Sequence, residues 1–103
     1  MMNPPTHTFR FFRGDLLLGT LVQTAVPNNG GWQGGAFEPA AGFERVRPLF
    51  DNELRLLNAG RRQEWQEIWE EIQRPGLRLE PVSGGEPLTG LLIHIENESA
   101  WWR

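Results

Sequence analysis

The side chains best suited to bind a charged partner are four glutamates: Glu64, Glu67, Glu70 and Glu71. They fall opposite an apolar stripe with helical spacing, so they share one face of a predicted helix. Glu67 and Glu71 are four positions apart, a spacing at which like charges repel weakly and a cationic partner would relieve the repulsion. We interpret this face as a candidate surface for a basic protein. The alternative is an ordinary solvated helix face.

His94 and Glu96 are the residues that could supply acid–base chemistry or metal ligands. Alternate residues of a strand share a face, so the two side chains would be neighbours. They define a second hypothesis, a small-ligand pocket between the glycine-rich segment and the sheet. No third good ligand accompanies them, and we predict no metal, no cofactor and no catalytic residue. The simpler interpretation is the polar face of a half-exposed strand.

Aromatic residues are the other candidates for contact with a partner. The chain has five Trp and six Phe but no Tyr. Trp32 and Phe37 lie in a glycine-rich segment, residues 26–39, that is predicted to be a loop, and Trp is enriched at binding hot spots. The alternative is that both rings fold back onto the protein. Strand alternation at Trp101-Trp102 predicts one buried and one exposed ring, and we take Trp102 as the contact candidate. The alternative is that both rings cap the core.

Composition excludes several classes of function. A net charge of -3 argues against nucleic acid, because phosphates require a basic patch. There is no cysteine for a thiolate site or a disulfide. No phosphate-binding glycine motif or Ser–His–Asp pattern is present. The first residues lack a signal peptide, and no apolar run approaches the roughly 20 residues of a membrane helix. We therefore predict a cytoplasmic protein away from membranes, with self-association through an edge strand as a further possibility.

Two helices must position the acidic face. The first is predicted over residues 40–58, with a kink or a fresh start at Pro48 and a stop at Gly60. The second is predicted over residues 61–73 and ends at Pro75-Gly76. Their apolar stripes are Phe43, Val46, Phe50, Leu54 and Leu57 in the first, and Trp65, Ile68, Trp69 and Ile72 in the second.

Strands are predicted on both sides of the helices. The first two, residues 7–12 and 16–24, form a hairpin, in which Gly19 suggests a bulge or a close approach. The other two are residues 77–82 and 91–96. We predict an α+β fold of order ββ-αα-ββ, with about four antiparallel strands and both helices packed on one face. The chain is expected to be one domain, residues 1–103, in which residues 1–6 are flexible.

The segment Gly35–Phe50 resembles a pattern in a group of small uncharacterised bacterial proteins. The shared features are a Gly-x-Phe-x-Pro segment before a helix and a Phe-Glu-x-Val-Arg-Pro-Leu-Phe sequence. The resemblance implies a bacterial single-domain protein and carries no activity, cofactor or site residue. The absence of catalytic patterns together with the surplus of Trp predicts a non-enzymatic protein-interaction module, such as an immunity or inhibitor protein. The alternative is a small-ligand-binding protein or minor enzyme.

Overall fold

The computed structural model describes residues 7–25 and 31–103. The elements in chain order are β1 (Thr8–Arg13), β2 (Leu16–Ala25), β3 (Gln33–Pro39), a 3-10 helix (Ala41–Arg45), α1 (Arg47–Asn58), α2 (Arg62–Gln73), β4 (Leu77–Pro81), β5 (Leu88–Thr89), β6 (Ile93–Glu96) and β7 (Ser99–Trp102). The predicted flexibility of residues 1–6 and the part of the predicted loop at residues 26–30 lie outside the described residues.

The α+β class is confirmed, whereas the predicted strand number and order are wrong. In the described residues, seven strands form one antiparallel sheet in the order β5-β4-β1-β2-β3-β7-β6. Three of these strands precede α1 and α2 in the chain, and four follow them. The two terminal thirds join in one sheet because β1 pairs with β4 and β3 pairs with β7. The strands predicted at residues 77–82 and 91–96 correspond to β4 and β6, which do not pair with each other and lie in opposite halves of the sheet.

The main correction concerns β3, which was predicted to be loop. Residues Gln33–Pro39 pair with β2 on one side and with β7 on the other. Glycine has a low strand propensity, so Gly34-Gly35 indicates a loop when the sequence is considered alone. A Cβ atom at Gly35 would overlap the carbonyl group of Val22 on β2. The glycine therefore permits a close approach of β3 to β2 that a larger residue would prevent.

The first hairpin is confirmed, including its irregularity. Phe11 pairs with Gly19 and Phe12 pairs with Leu17, which leaves Leu18 as an extra residue in a β-bulge. A Cβ atom at Gly19 would also overlap the Phe37 ring and the carbonyl oxygen of Glu38. The bulge and the close approach expected from Gly19 therefore occur together.

The predicted helical layer is present, with a break in its first half. A 3-10 helix comes first, and α1 then starts afresh at Arg47 with Pro48 in its first turn, where a missing N–H costs nothing. Gly60, with φ 69°, follows the end of α1 as expected. Within the described residues, no helix combines the length and apolar character needed to cross a membrane.

The buried face of α1 differs from the predicted stripe. Leu57 is 43% exposed and Leu54 is only half-buried, whereas Glu53 and Leu56 are buried. The predicted stripe consists of apolar residues only and does not include Glu53, whose carboxylate is costly to bury without partners. The stripe of α2 is confirmed, because Trp69 and Ile72 are buried and the other two members pack partly against the core.

A chain of phenylalanine rings joins the helical layer to the sheet. Phe37 on β3 contacts Phe43 of the 3-10 helix, with ring centroids 4.8 Å apart. Phe43 contacts Phe50 on α1 at 5.7 Å, and Phe50 meets Phe11 on β1 at 6.1 Å. All four rings are buried, so they supply a large share of the apolar burial between the layers.

The carboxyl end of α2 is tied to β1 by one arginine. Arg13 donates from Nε to the carbonyl oxygen of Ile72 and from Nη2 to that of Glu71, both at 2.8 Å. A guanidinium at this end also interacts favourably with the helix dipole. These bonds fix the rotation of α2 and so fix where its acidic face points.

Candidate functional site

Three of the predicted acidic residues lie in one cleft. Glu64, Glu67 and Glu71 line a cleft of about 260 Å³ between α1 and α2. Asn52, Leu56 and Ile68 supply its remaining walls. Glu70 is exposed and is not a lining residue. The structure thus separates the four glutamates into a group of three that faces a concave surface and one that does not.

The charge of this cleft is only partly balanced. Glu64 forms an ion pair with Arg61 at the start of α2. Across residues 7–25 and 31–103, no basic side chain forms an ion pair with Glu67 or Glu71. The guanidinium of Arg13 reaches the backbone of Glu71 rather than its carboxylate. Two like charges one helical turn apart are therefore left to interact with solvent or with a partner.

Trp32 belongs to a different cluster. Its half-buried ring lies 5.4 Å from the imidazole of His94, and the guanidinium of Arg103 stacks over it at 4.7 Å. Trp101, also half-buried, contacts the same imidazole at 5.5 Å. Trp32 therefore docks on the protein, the alternative weighed from sequence, and its ring contacts His94 on β6 and Arg103, the residue after β7.

Phe37 and Trp102 are core residues, so the expectation that they offer exposed contact surface is wrong. Phe37 is 1% exposed and Trp102 is 3% exposed. Trp102 packs edge-on against Phe9 at 6.2 Å. Trp101 is half-buried instead of exposed, so both rings contact the protein, and Trp102 is the one that points into the core together with the buried Ile93 with which it pairs. Sequence alone did not reveal this register.

The most unusual polar feature of the core is a pair between α1 and β6. Among the described residues, Glu53 and His94 are the polar side chains that are buried, 0% and 3% exposed. His94 Nδ1 lies 2.9 Å from Glu53 Oε1, and Trp65 Nε1 donates to Glu53 Oε2 at 2.6 Å. A carboxylate can only accept hydrogen bonds, so the pair places the imidazole proton on Nδ1.

This arrangement corrects the interpretation of His94 and Glu96. His94 lies in the core instead of on a half-exposed face, and its partner is Glu53. Glu96 is exposed at the turn between β6 and β7. Within the part of the chain that the structure describes, no group of three His, Asp or Glu side chains could hold a metal ion. The two residues therefore do not form a common polar pocket.

Glu53 is the residue that sequence analysis missed. Its position, three residues after Phe50 and seven after Val46, places it on the buried face of α1. A glutamate at such a position is a usable signal, since it requires polar partners from elsewhere in the chain. Neither partner can be identified from helix periodicity, because His94 comes from β6 and Trp65 from α2.

Comparisons with protein-family models, curated proteins and solved structures found no match to this chain. The resemblance of Gly35–Phe50 to small bacterial proteins stays a prediction.

Proposed function

We propose that this protein is an interaction module that binds a basic polypeptide segment in the acidic cleft between α1 and α2. The observation that supports the proposal is the convergence of Glu64, Glu67 and Glu71 on one concave surface. An inhibitor or immunity protein is one kind of protein that would use such a surface. The proposed role requires no catalytic group.

Charge complementarity favours a cationic partner. Glu67 and Glu71 repel each other by about 0.2–0.5 kcal/mol at this helical spacing, and a bound cation would replace that repulsion with attraction. The net charge of -3 would add long-range steering of a basic partner, which accelerates association at low salt. The interaction should therefore weaken as ionic strength rises.

The walls of the cleft indicate the form of the partner. Ile68 is half-buried and Leu56 is buried, so apolar surface lies beside the carboxylates. A groove between two helices suits an amphipathic helix, whose apolar residues lie against the groove. Two basic residues one turn apart on that helix would match the spacing of Glu67 and Glu71.

Charge reversal at Glu67 provides the test. A fluorescently labelled helical peptide with two Arg one turn apart beside a Leu stripe is titrated with protein, and binding is followed by anisotropy. Glu67→Arg should weaken binding by about tenfold or more, or about 1.4 kcal/mol. Glu70→Arg is the matched control, with the same charge change on the same helix outside the cleft. It should have a much smaller effect.

Two results would refute the proposal. One is the absence of saturable binding at low salt for a protein whose amide spectrum shows it to be folded. The other is an equal loss of affinity in Glu67→Arg and Glu70→Arg, which would indicate attraction to overall charge instead of recognition by the cleft.

A further inference from the structure

A second concave surface lies at the turn between the two helices. Its volume is about 410 Å³, within the range of roughly 300–1,000 Å³ typical of small-molecule sites. The lining residues are Leu56, Leu57, Gly60, Arg61, Arg62 and Trp65. It shares only Leu56 with the acidic cleft, and we refer to it as the helix-turn cavity.

The walls of the helix-turn cavity are apolar. Leu57 is 43% exposed, whereas the other large apolar residues of α1 are buried or half-buried. Trp65 is held rigidly, because its Nε1 donates to Glu53 and its ring stacks on Trp69 with an interplanar angle of 1°. Since the one polar atom of this indole is already bonded inside the protein, the face left to a ligand is hydrocarbon.

The rim of the helix-turn cavity is cationic. Arg61 is paired with Glu64, whereas exposed Arg62 forms no ion pair within the described residues. Both arginines lie at the start of α2, where the helix dipole is unfavourable to positive charge. A bound anion would offset both the dipole and the mutual repulsion of the two guanidinium groups. Arginine also matches the planar geometry of a carboxylate.

We propose that the helix-turn cavity binds a small amphiphilic carboxylate, a ligand with one carboxylate and an alkyl or aromatic body. The body lies against Leu57 and Trp65, and the carboxylate pairs with Arg62. This site goes beyond the proposed function, because it selects a small anion where the acidic cleft selects a cationic polypeptide. The opposite charge preference makes the two sites experimentally separable.

Three eight-carbon probes distinguish the contributions of charge and apolar burial: octanoate, octanol and octylammonium. Each is titrated into isotopically labelled protein, below its micelle concentration, and amide and indole shifts are recorded by NMR. Octanoate should perturb Leu57, Gly60 and the indole N–H of Trp65. It should bind about tenfold more tightly than octanol, because the ion pair adds to the same apolar burial. Octylammonium should bind most weakly.

Two exposed side chains provide the variants. Arg62→Glu should weaken octanoate binding by about tenfold or more and leave octanol unchanged. Arg74→Glu, at the far end of the same helix, is the matched control and should change neither. Leu57→Trp should fill the cavity and weaken both ligands. Neither Leu57 nor Arg62 is buried, so these variants should fold, and the amide spectrum verifies that.

The proposal is overturned if octanoate does not bind in the millimolar range, or if its shifts cluster around Trp32 and His94 instead of Leu57. If Arg62→Glu weakened the binding of octanoate and octanol equally, Arg62 would not form the proposed ion pair with the carboxylate. Unchanged binding to Leu57→Trp would place the ligand elsewhere. None of these results affects the acidic cleft, which is tested with a cationic peptide.

Discussion

At the scale of single residues, the buried carboxylate of Glu53 links α1 to α2 and to β6 by hydrogen bonds. It is fully buried and meets two hydrogen-bonding groups, His94 from β6 and Trp65 from α2. In the described residues, every buried side-chain nitrogen and oxygen has a hydrogen-bond partner. A buried network of this kind is tolerated only when all of its members are satisfied, and it favours one arrangement of helices and sheet over others.

Removing the Glu53 carboxylate should therefore be costly. Glu53→Ala removes the acceptor from the buried His94 and the half-buried Trp65, and we expect a loss of about 3 kcal/mol in the free energy of unfolding. Glu53→Gln should cost less. Its amide oxygen can accept from Trp65, and its NH₂ group can donate to His94 once the imidazole proton moves to Nε2. Urea unfolding measures both losses, and nitrogen NMR of His94 reports the tautomer.

Exposed Glu70 supplies the control for this series. Glu70→Ala should change stability by no more than about 0.5 kcal/mol. If Glu53→Ala were equally mild, or if Glu53→Gln were the more damaging of the two, the hydrogen-bonded role of the carboxylate would be wrong.

At the scale of elements, apolar periodicity correctly predicted the parts of the chain in which it dominates. The β1–β2 hairpin and α2 were found because their large side chains repeat with strand and helix spacing. The strand β3 was missed because its pairing is decided by neighbours distant in sequence, while Gly34-Gly35 locally suggests a loop. The short strands β5 and β7 likewise form because of pairing with other strands, β5 with β4 and β7 with β3 and β6.

The role of Gly35 can be tested directly. Gly35→Ala places a methyl group against the backbone of Val22, and the overlap can be relieved only by moving β3 away from β2. We expect a loss of about 3 kcal/mol in the free energy of unfolding. Hydrogen exchange of the β2 and β3 amides should accelerate together.

The neighbouring residue on β3 is a suitable reference for this test. Ala36 is exposed, and Ala36→Ser should alter stability by no more than about 0.5 kcal/mol. A Gly35→Ala protein as stable as Ala36→Ser would show that the close approach of the two strands is not required.

The candidate site was predictable only in part, for a related reason. The three glutamates of the acidic cleft lie on one helix, so spacing within α2 predicted that Glu64, Glu67 and Glu71 share a face, although it grouped Glu70 with them. The pairing of His94 with Glu53 and the helix-turn cavity both depend on how α1 lies against α2 and the sheet. Sequence periodicity does not encode that relation. The inward position of Trp102 likewise depends on a distant residue, Phe9 on β1, against which its ring packs.

At the scale of the whole molecule, a curled sheet built from both ends of the chain supports a layer of two helices. This layer carries two concave surfaces, one lined by glutamates and one with arginines at its rim. Aromatic packing fixes α1 to the sheet, and Arg13 fixes the end of α2. The cleft is therefore held in shape before any partner arrives, which lowers the entropic cost of binding. The cluster of Trp32 and Trp101 around His94 is separate from both concave surfaces.

The most direct test of the account is an NMR map of the protein during titration with the two-arginine helical peptide. We predict that the largest shift changes fall on Asn52, Glu64, Glu67, Ile68 and Glu71, and that they shrink when salt is raised. Changes centred on Trp32 and Trp101, or a uniform weak response that saturates nowhere, would contradict recognition by the acidic cleft.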